Sequence, residues 1–284
     1  MSPPLLNISG LTIAYSGAPG SALALDHVSL KMGREKLGLI GQSGSGKSTL
    51  ARAVLRLLPQ GASLKAEAMN FMDTDLMALD APSMRRLRGR KIAFIPQDCR
   101  AALNPVMRIG RQIAEGLPKG TGKAEAKARI LDMLHLVRLD DPERILNAYP
   151  HELSGGMCQR AVIAMMVMGA PDLLIADEPT SALDLTVRRH VLDLFDELIK
   201  PGGVNKDGMG LLIISHDLDL VAGFCDRVMV MYGGRIVETL AAAKIEDCHH
   251  PYTKGLLDCL PRFSNAGRML ATLNPQPDWM EPVI

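Results

Sequence analysis

No stretch of this 284-residue chain is long enough in apolar residues to span a bilayer. The longest run, Ala161 to Ala170, falls well short of the roughly 20 residues a spanning helix needs, so it reads as a buried core helix. Nor does the start read as a secretory signal: Met1 to Ser9 has no basic segment followed by a long apolar one. Neither sign of charge is in excess. With 32 basic and 31 acidic residues the formal charge is +1, which gives no general attraction to nucleic acid or anionic membrane. The five cysteines, Cys99, Cys158, Cys225, Cys248 and Cys259, are scattered, odd in number and without zinc-ribbon spacing, as suits a reduced, cytosolic compartment. Internal repeats and low-complexity tracts are absent too. If the protein acts at a membrane, other chains must supply the membrane-crossing part.

What is present is enough apolar sequence, 47%, to bury a full core. Leu5 to Tyr15 alternates as an edge region does. Short apolar runs at Leu37–Ile40, Ile92–Ile95, Leu173–Ala176, Leu211–Ile214 and Val228–Val230 read as buried strands, and Gly233-Gly234 reads as a hairpin turn between Val228–Tyr232 and Arg235–Glu238. Strands separated by helices predict an α/β fold with a mostly parallel sheet. The stretch Asp98 to Gly169 has few strand signals and several helical ones, Lys123 to Leu136 among them, and reads as an inserted helical subdomain, about residues 98–170. The tail from Ala241 to Ile284 is rich in proline and turn residues. The basic cluster Arg85, Arg86, Arg88, Arg90 and Lys91 has no interleaved aromatics for base stacking and reads as a solvated face rather than a nucleic-acid patch.

Gly41-Gln42-Ser43-Gly44-Ser45-Gly46-Lys47-Ser48 fits the phosphate-loop pattern in full, after an apolar strand and before the helical run Thr49 to Leu58. Glycines let backbone N–H groups turn inward to form a concave nest, and the helix behind adds its positive end. Lys47 would neutralise β- and γ-phosphates, and Ser48 would ligate Mg²⁺. The strand Leu173 to Ala176 carries Asp177 and Glu178 at its end. Asp177 would hold Mg²⁺ through water, and Glu178 would polarise an attacking water.

Leu153-Ser154-Gly155-Gly156-Met157-Cys158-Gln159-Arg160 resembles the signature motif of ABC ATPases. Gln97, Ser181-Ala182-Leu183-Asp184 and His216 are similar to the Q-loop glutamine, D-loop and switch histidine of that family, in the family's order, so the resemblance covers about Leu5 to Glu238. It implies the P-loop ABC ATPase fold: a parallel-sheet core, an antiparallel N-terminal sheet region and an inserted helical subdomain. It implies hydrolysis of ATP with Mg²⁺, with Ser48, Gln97 and Asp177 at the metal and Glu178, His216 and Gln97 at the reacting phosphate. The phosphate loop from Gly41 to Ser48, with Thr49, would bind the nucleotide. Tyr15 resembles the aromatic residue that stacks on adenine, with core packing as its other reading. Two such domains would pack head to tail, so that Ser154, Gly155, Gly156 and Gln159 act on the partner's ATP, with Asp184 in the D-loop.

Gln97-Asp98 followed by Leu103-Asn104-Pro105, together with His249-His250-Pro251-Tyr252-Thr253-Lys254-Gly255-Leu256-Leu257, resembles the oligopeptide, dipeptide and nickel importer ATPases. That likeness implies an ATPase domain over residues 1–240 and a short C-terminal extension over 241–284. It implies a second, related ATPase subunit, two transmembrane permease subunits and an external substrate-binding protein. The chain would sit peripherally on the cytoplasmic face of the inner membrane. Two positions depart from the subfamily: Cys99 stands where proline is usual, and Cys158 where arginine or glutamine is. The cysteine-rich tail of many relatives is missing, so no iron–sulfur cluster is expected. A metal role for His249-His250 lacks a third ligand nearby. Alternatives are an importer of another solute, an exporter module, whose fused membrane domain is absent, or an ABC ATPase acting on nucleic acid. For the last, the interval Ser48 to Leu153 is too short for the long coiled coil of the repair and chromosome types.

Overall fold

A computed structural model describes residues 3–15, 23–181, 185–259 and 276–280. Along the chain run β1 (Leu6–Tyr15), β2 (Leu23–Met32), β3 (Lys36–Ile40), α1 (Lys47–Val54), β4 (Ala62–Lys65), β5 (Ala68–Phe71), β6 (Thr74–Asp75), α2 (Ala81–Leu87), β7 (Ile92–Ile95), α3 (Ile109–Ala114), α4 (Lys123–Leu136), α5 (Pro142–Asn147), α6 (Gly155–Val167), β8 (Leu173–Asp177), α7 (Leu185–Ile199), β9 (Gly210–Ser215), α8 (Leu218–Phe224), β10 (Arg227–Tyr232), β11 (Arg235–Ala241) and α9 (Pro251–Asp258). Contacts divide the chain into two compact units, Met1–Leu79 with Ile213–Ile284, and Asp80–Leu212.

In the first unit β1 is not an edge. It pairs antiparallel with β2 on one side and with β4 and β5 on the other. Its alternation slips phase, which is why it resembles an edge: Leu6 and Ile8 are buried, then Leu11 and Ile13. The slip falls at Gly10, whose φ is +59°. Between the pairs Ile8↔Leu30 and Leu11↔Val28 the extra residue lies in β1; between Leu11↔Val28 and Ile13↔Leu25 it lies in β2, at His27, φ +50°. A further extra residue lies in β2 between Ile13↔Leu25 and Ala14↔Leu23, so β1 bulges once and β2 twice. In the same unit β3 and β10 run parallel, and β10 turns at Gly233-Gly234 into antiparallel β11, pairing Tyr232 with Arg235. Helix α8 packs on β3 at Gly38, where an added Cβ would sit 2.1 Å from Val221 Cγ1.

Helix α1 is shorter than the apolar pattern to Leu58 suggests. Arg56 takes a left-handed φ of +49°, and the N–H groups of Arg56 and Leu57 donate to the carbonyls of Ala53 and Arg52 (both 2.8 Å). That pair of bonds satisfies the helix's last carbonyls and closes it, with arginine where glycine is usual.

In the second unit β7 and β8 form a parallel pair, Ile92 opposite Leu173 through Ile95 opposite Ala176. All of β8 is buried, as a parallel strand covered on both faces must be. Lys91, just before β7, pairs with the buried Asp172, just before β8, at 2.9 Å. Between these strands lie α3 to α6, the helical insertion. Helix α4 buries Ile130 and Leu134, one turn apart on one face; each is worth about 1.5–3 kcal/mol of apolar burial. The run from Ala161 onward lies largely in α6, with Ala161 to Ala164 and Val167 buried, the core helix expected. Among the described residues no helix is long and apolar enough to cross a membrane. In the basic cluster Arg85, Arg86, Arg90 and Lys91 are exposed, a solvated face running into β7.

Candidate functional site

Strand β3 delivers the chain into the loop Gly41–Gly46, and α1 begins at Lys47. Gly41 is required by space: an added Cβ would lie 2.1 Å from the Met231 carbonyl oxygen. Gly46 caps α1 with φ +105°, a conformation side chains rarely tolerate. The Lys47 side chain is buried, and its Nζ donates to the carbonyls of Gly41 (2.7 Å) and Gln42 (2.8 Å) and to Ser45 Oγ (3.4 Å). The ammonium is thus drawn back into its own loop, while Gln42, Ser43 and Gly44 stay exposed. The loop is tied at its flank as well: the N–H of Gly234, at the hairpin turn, donates to the Ser45 carbonyl at 3.1 Å. Tyr15, the last residue of β1, lies with its hydroxyl 3.4 Å from Thr49 Oγ1 on α1. That places the candidate adenine-stacking ring beside the phosphate loop's helix. His216 is exposed directly after buried β9, and Asp217 caps α8, its Oδ1 accepting the Leu220 N–H at 3.0 Å.

In the second unit one cavity of about 750 Å³ is lined by Gln97, Cys99, Ser154, Gly155, Gly156, Gln159 and Glu178, with Ser181 on its wall. Four sequence signals more than 80 residues apart end to end therefore meet in one place. Ser154 caps α6, its Oγ accepting the Met157 N–H at 3.4 Å. Gly155 opens the helix with no atom within 4 Å of an added Cβ, so the fold itself has no need of glycine there. An approach by something outside the chain gives a reason for it. Gln159 is buried, and its Nε2 finds no partner among the described residues, a donor left for a ligand. Asp177 ends β8, buried, and Glu178 follows with a left-handed φ of +51°. Backbone strain of this kind costs on the order of 1 kcal/mol and gathers at working sites.

The two subfamily departures have structural homes. Cys158 is buried in α6, its thiol donating to the Pro150 carbonyl at 3.5 Å. Burial raises the Cys99 thiol to about 11, with nearby Asp98 adding to the effect, so it is a poor nucleophile. His249-His250 serves the backbone: the N–H groups of both residues donate to Glu238 Oε1 (2.6 and 3.3 Å), and His250 Nδ1 accepts the Tyr252 N–H at 3.1 Å. Within the tail, rich in proline and turn residues, these bonds lead into the helix α9. Asp184 lies outside the described residues. One residue that sequence reasoning passed over stands at the phosphate loop: Tyr252, whose hydroxyl accepts the Gln42 N–H at 2.7 Å. The only signal for it was the His249–Leu257 segment, which carried no role for its tyrosine.

Comparison with known proteins gives these features a context. Residues 25–181 match the ABC transporter family. The chain is 41% identical, over 95% of its length and 81% of the relative's, to a dipeptide transport ATP-binding protein of Haemophilus influenzae. To an oligopeptide transport ATP-binding protein of Bacillus subtilis it is 40% identical, over 98% of its length and 78% of the relative's. Its fold is that of a dimeric ATP-binding cassette solved with ADP and phosphate, at 24% identity and a TM-score of 0.72, over 84% of this chain and 98% of that one.

Proposed function

This chain belongs to the ABC transporter family of ATP-binding proteins, and from that premise we propose that it is the ATP-hydrolysing subunit of a peptide importer. The observation that carries this reading is near full-length likeness to peptide transport ATP-binding proteins, with a complete phosphate loop in this chain. The loop from Gly41 to Ser48 and Thr49 binds the phosphates through backbone N–H groups and the Lys47 ammonium. Tyr15 stacks on the base, an assignment favoured by its place beside Thr49. Glu178 accepts a proton from the attacking water, and His216 and Gln97 orient water and γ-phosphate. Ser48, Gln97 and Asp177 offer a hydroxyl, an amide oxygen and a carboxylate, the hard oxygen donors Mg²⁺ takes. Mg²⁺ held there supplies charge neutralisation on the phosphates.

Ser154, Gly155, Gly156 and Gln159 act on the ATP of a second, related ATPase chain, and Asp184 works in the same junction. Two permease subunits carry the membrane path, an external binding protein delivers the solute, and the chain sits peripherally on the cytoplasmic face. Residues 1–240 are the ATPase domain and 241–284 its extension. No iron–sulfur cluster belongs to this reading: Cys225, for one, is buried with its thiol pushed up to about 12 by that burial, far from a ready thiolate ligand. Peptide is preferred to nickel because the relatives named above are peptide transporters.

The test is reconstitution with its permease and binding-protein partners in liposomes. ATP-driven uptake of labelled di- and oligopeptides is expected. Uptake of a nickel chelate without peptide uptake would move the assignment to the metal branch, and ATP hydrolysis without any coupling to permeases would refute the importer role.

A further inference from the structure

We propose that Tyr252 is a positioning residue of the ATP site, and that through it the C-terminal helix α9 holds the phosphate loop in its binding shape. This rests on the reading of Gly41–Ser48 as the phosphate site. The peptide unit joining Gly41 to Gln42 is gripped at both ends. Its carbonyl accepts from Lys47 Nζ at 2.7 Å, and its N–H donates to the Tyr252 hydroxyl at 2.7 Å. Two bonds of opposite sense fix the plane of one peptide. The orientation of that plane decides where the Lys47 ammonium rests. Tyr252 therefore acts on phosphate binding through Lys47, without touching the nucleotide.

The tyrosine is held firmly enough to do this. Its side chain is fully buried. Its ring lies 4.6 Å, centroid to centroid, from Tyr232 and 5.8 Å from Trp279. Tyr232 comes from β10, next to the hairpin turn whose Gly234 holds the Ser45 carbonyl. Helix α9 is pinned from its start: Glu238 Oε1 receives the N–H groups of His249 and His250, His250 Nδ1 caps the helix, and Pro251 sets its first turn. A local helix of eight residues has little stability alone. Here its position comes from β11 at one end, and its tyrosine passes that position on to the loop.

The experiment compares the purified full-length wild type with Tyr252→Phe, Tyr232→Phe and Lys47→Ala. Affinity is read with a fluorescent ATP analogue, and KM and kcat for ATP are read in the assembled transporter. Tyr252→Phe keeps the ring and removes only the acceptor. It should raise Kd and KM for ATP roughly three- to tenfold, the weight of one hydrogen bond, with kcat at saturating ATP within about twofold of wild type. Tyr232→Phe loses its bond to the Gln276 carbonyl, 3.2 Å away, and should leave KM unchanged. A structural role alone would lower the melting temperature of Tyr252→Phe and leave KM where it was; that result, with Lys47→Ala weakening binding, overturns the inference. Wild-type affinity in Lys47→Ala would instead overturn the phosphate-site reading and this inference with it. Should Tyr252→Phe not fold, Trp279, the chain's single tryptophan, gives a second readout in the wild type. Its emission should shift when ATP binds, and constant emission through saturation counts against the coupling.

Discussion

Asp177 is the last residue of β8 and Glu178 the first beyond it, and between them the backbone passes from extended to left-handed, with φ of +51° at Glu178. In a continuing strand, neighbours point to opposite faces. Asp177 is buried, and beyond the turn Glu178 lines the cavity shared by Gln97 and the Ser154–Gly156 segment. Replacing Glu178 by glutamine keeps shape and backbone demand and removes the proton acceptor. Turnover in the assembled transporter should fall by about 10²-fold or more, while ATP still binds and dimers with bound ATP accumulate. A hydrolysis rate like that of the wild type would remove Glu178 from the role of base.

Lys47 should fail at an earlier step. Its buried ammonium serves the Gly41 and Gln42 carbonyls and is the loop's only full positive charge. In Lys47→Ala the phosphates lose a charge-assisted contact worth about 1.5–3 kcal/mol. ATP affinity should drop at least roughly tenfold, as measured by titration. The contrast with Glu178→Gln, which binds but does not turn over, separates binding from chemistry.

How far the sequence could be read follows from where each feature's information lies. Strands β7 and β8 were legible because a strand buried on both faces must be apolar throughout, as Ile92–Ile95 and Leu173–Ala176 are. Strand β2 was not, because its bulge at His27 breaks the two-residue period that betrays a strand. The end of α1 was hidden by an arginine in the left-handed cap position. At the candidate site, Lys47, Ser154 and Glu178 stood out in the sequence because the phosphate chemistry proposed for them restricts residue type and spacing. Tyr252 was not: its partner Gln42 is 210 positions away, and a tyrosine near a helix start has many ordinary reasons to be there.

The hairpin beside the phosphate loop should show a defined acid response. Asp26 accepts from Arg235 through Nε (2.8 Å) and Nη2 (2.5 Å), and its Oδ1 lies 2.6 Å from His27 Nδ1. The bond to His27 and then the Arg235 guanidinium hold its carboxyl below the usual carboxylate range. A depressed folded-state pKa stabilises the fold fully above the unfolded value, about 3.9, and the contribution fades as pH falls through the lower folded value. Arg235→Ala should therefore lower the urea midpoint at pH 7, and the difference from wild type should shrink below about pH 4. An equal difference at pH 7 and pH 3 would show that Arg235 acts by packing alone.

Gly155 offers the cleanest separation of fold from function. Most glycines at the phosphate loop are demanded by the fold, as Gly41 is by the Met231 carbonyl. Gly155 has no such constraint: it is in the first turn of α6, its φ is not positive, and an added Cβ would meet nothing within 4 Å. Alanine there should leave the melting temperature unchanged or raise it, since glycine in a helix costs up to about 1 kcal/mol relative to alanine. If the first amides of α6 receive the phosphates of a second chain's ATP, the methyl group obstructs that approach. ATPase activity of the assembled transporter should then fall by about tenfold or more, an expectation from the close approach that glycine allows, while the isolated chain binds ATP at its own phosphate loop as before. Full activity in a stable Gly155→Ala transporter would mean that nothing docks at this helix start. Lost activity with a lowered melting temperature would point to a packing role that the open space around Gly155 does not suggest.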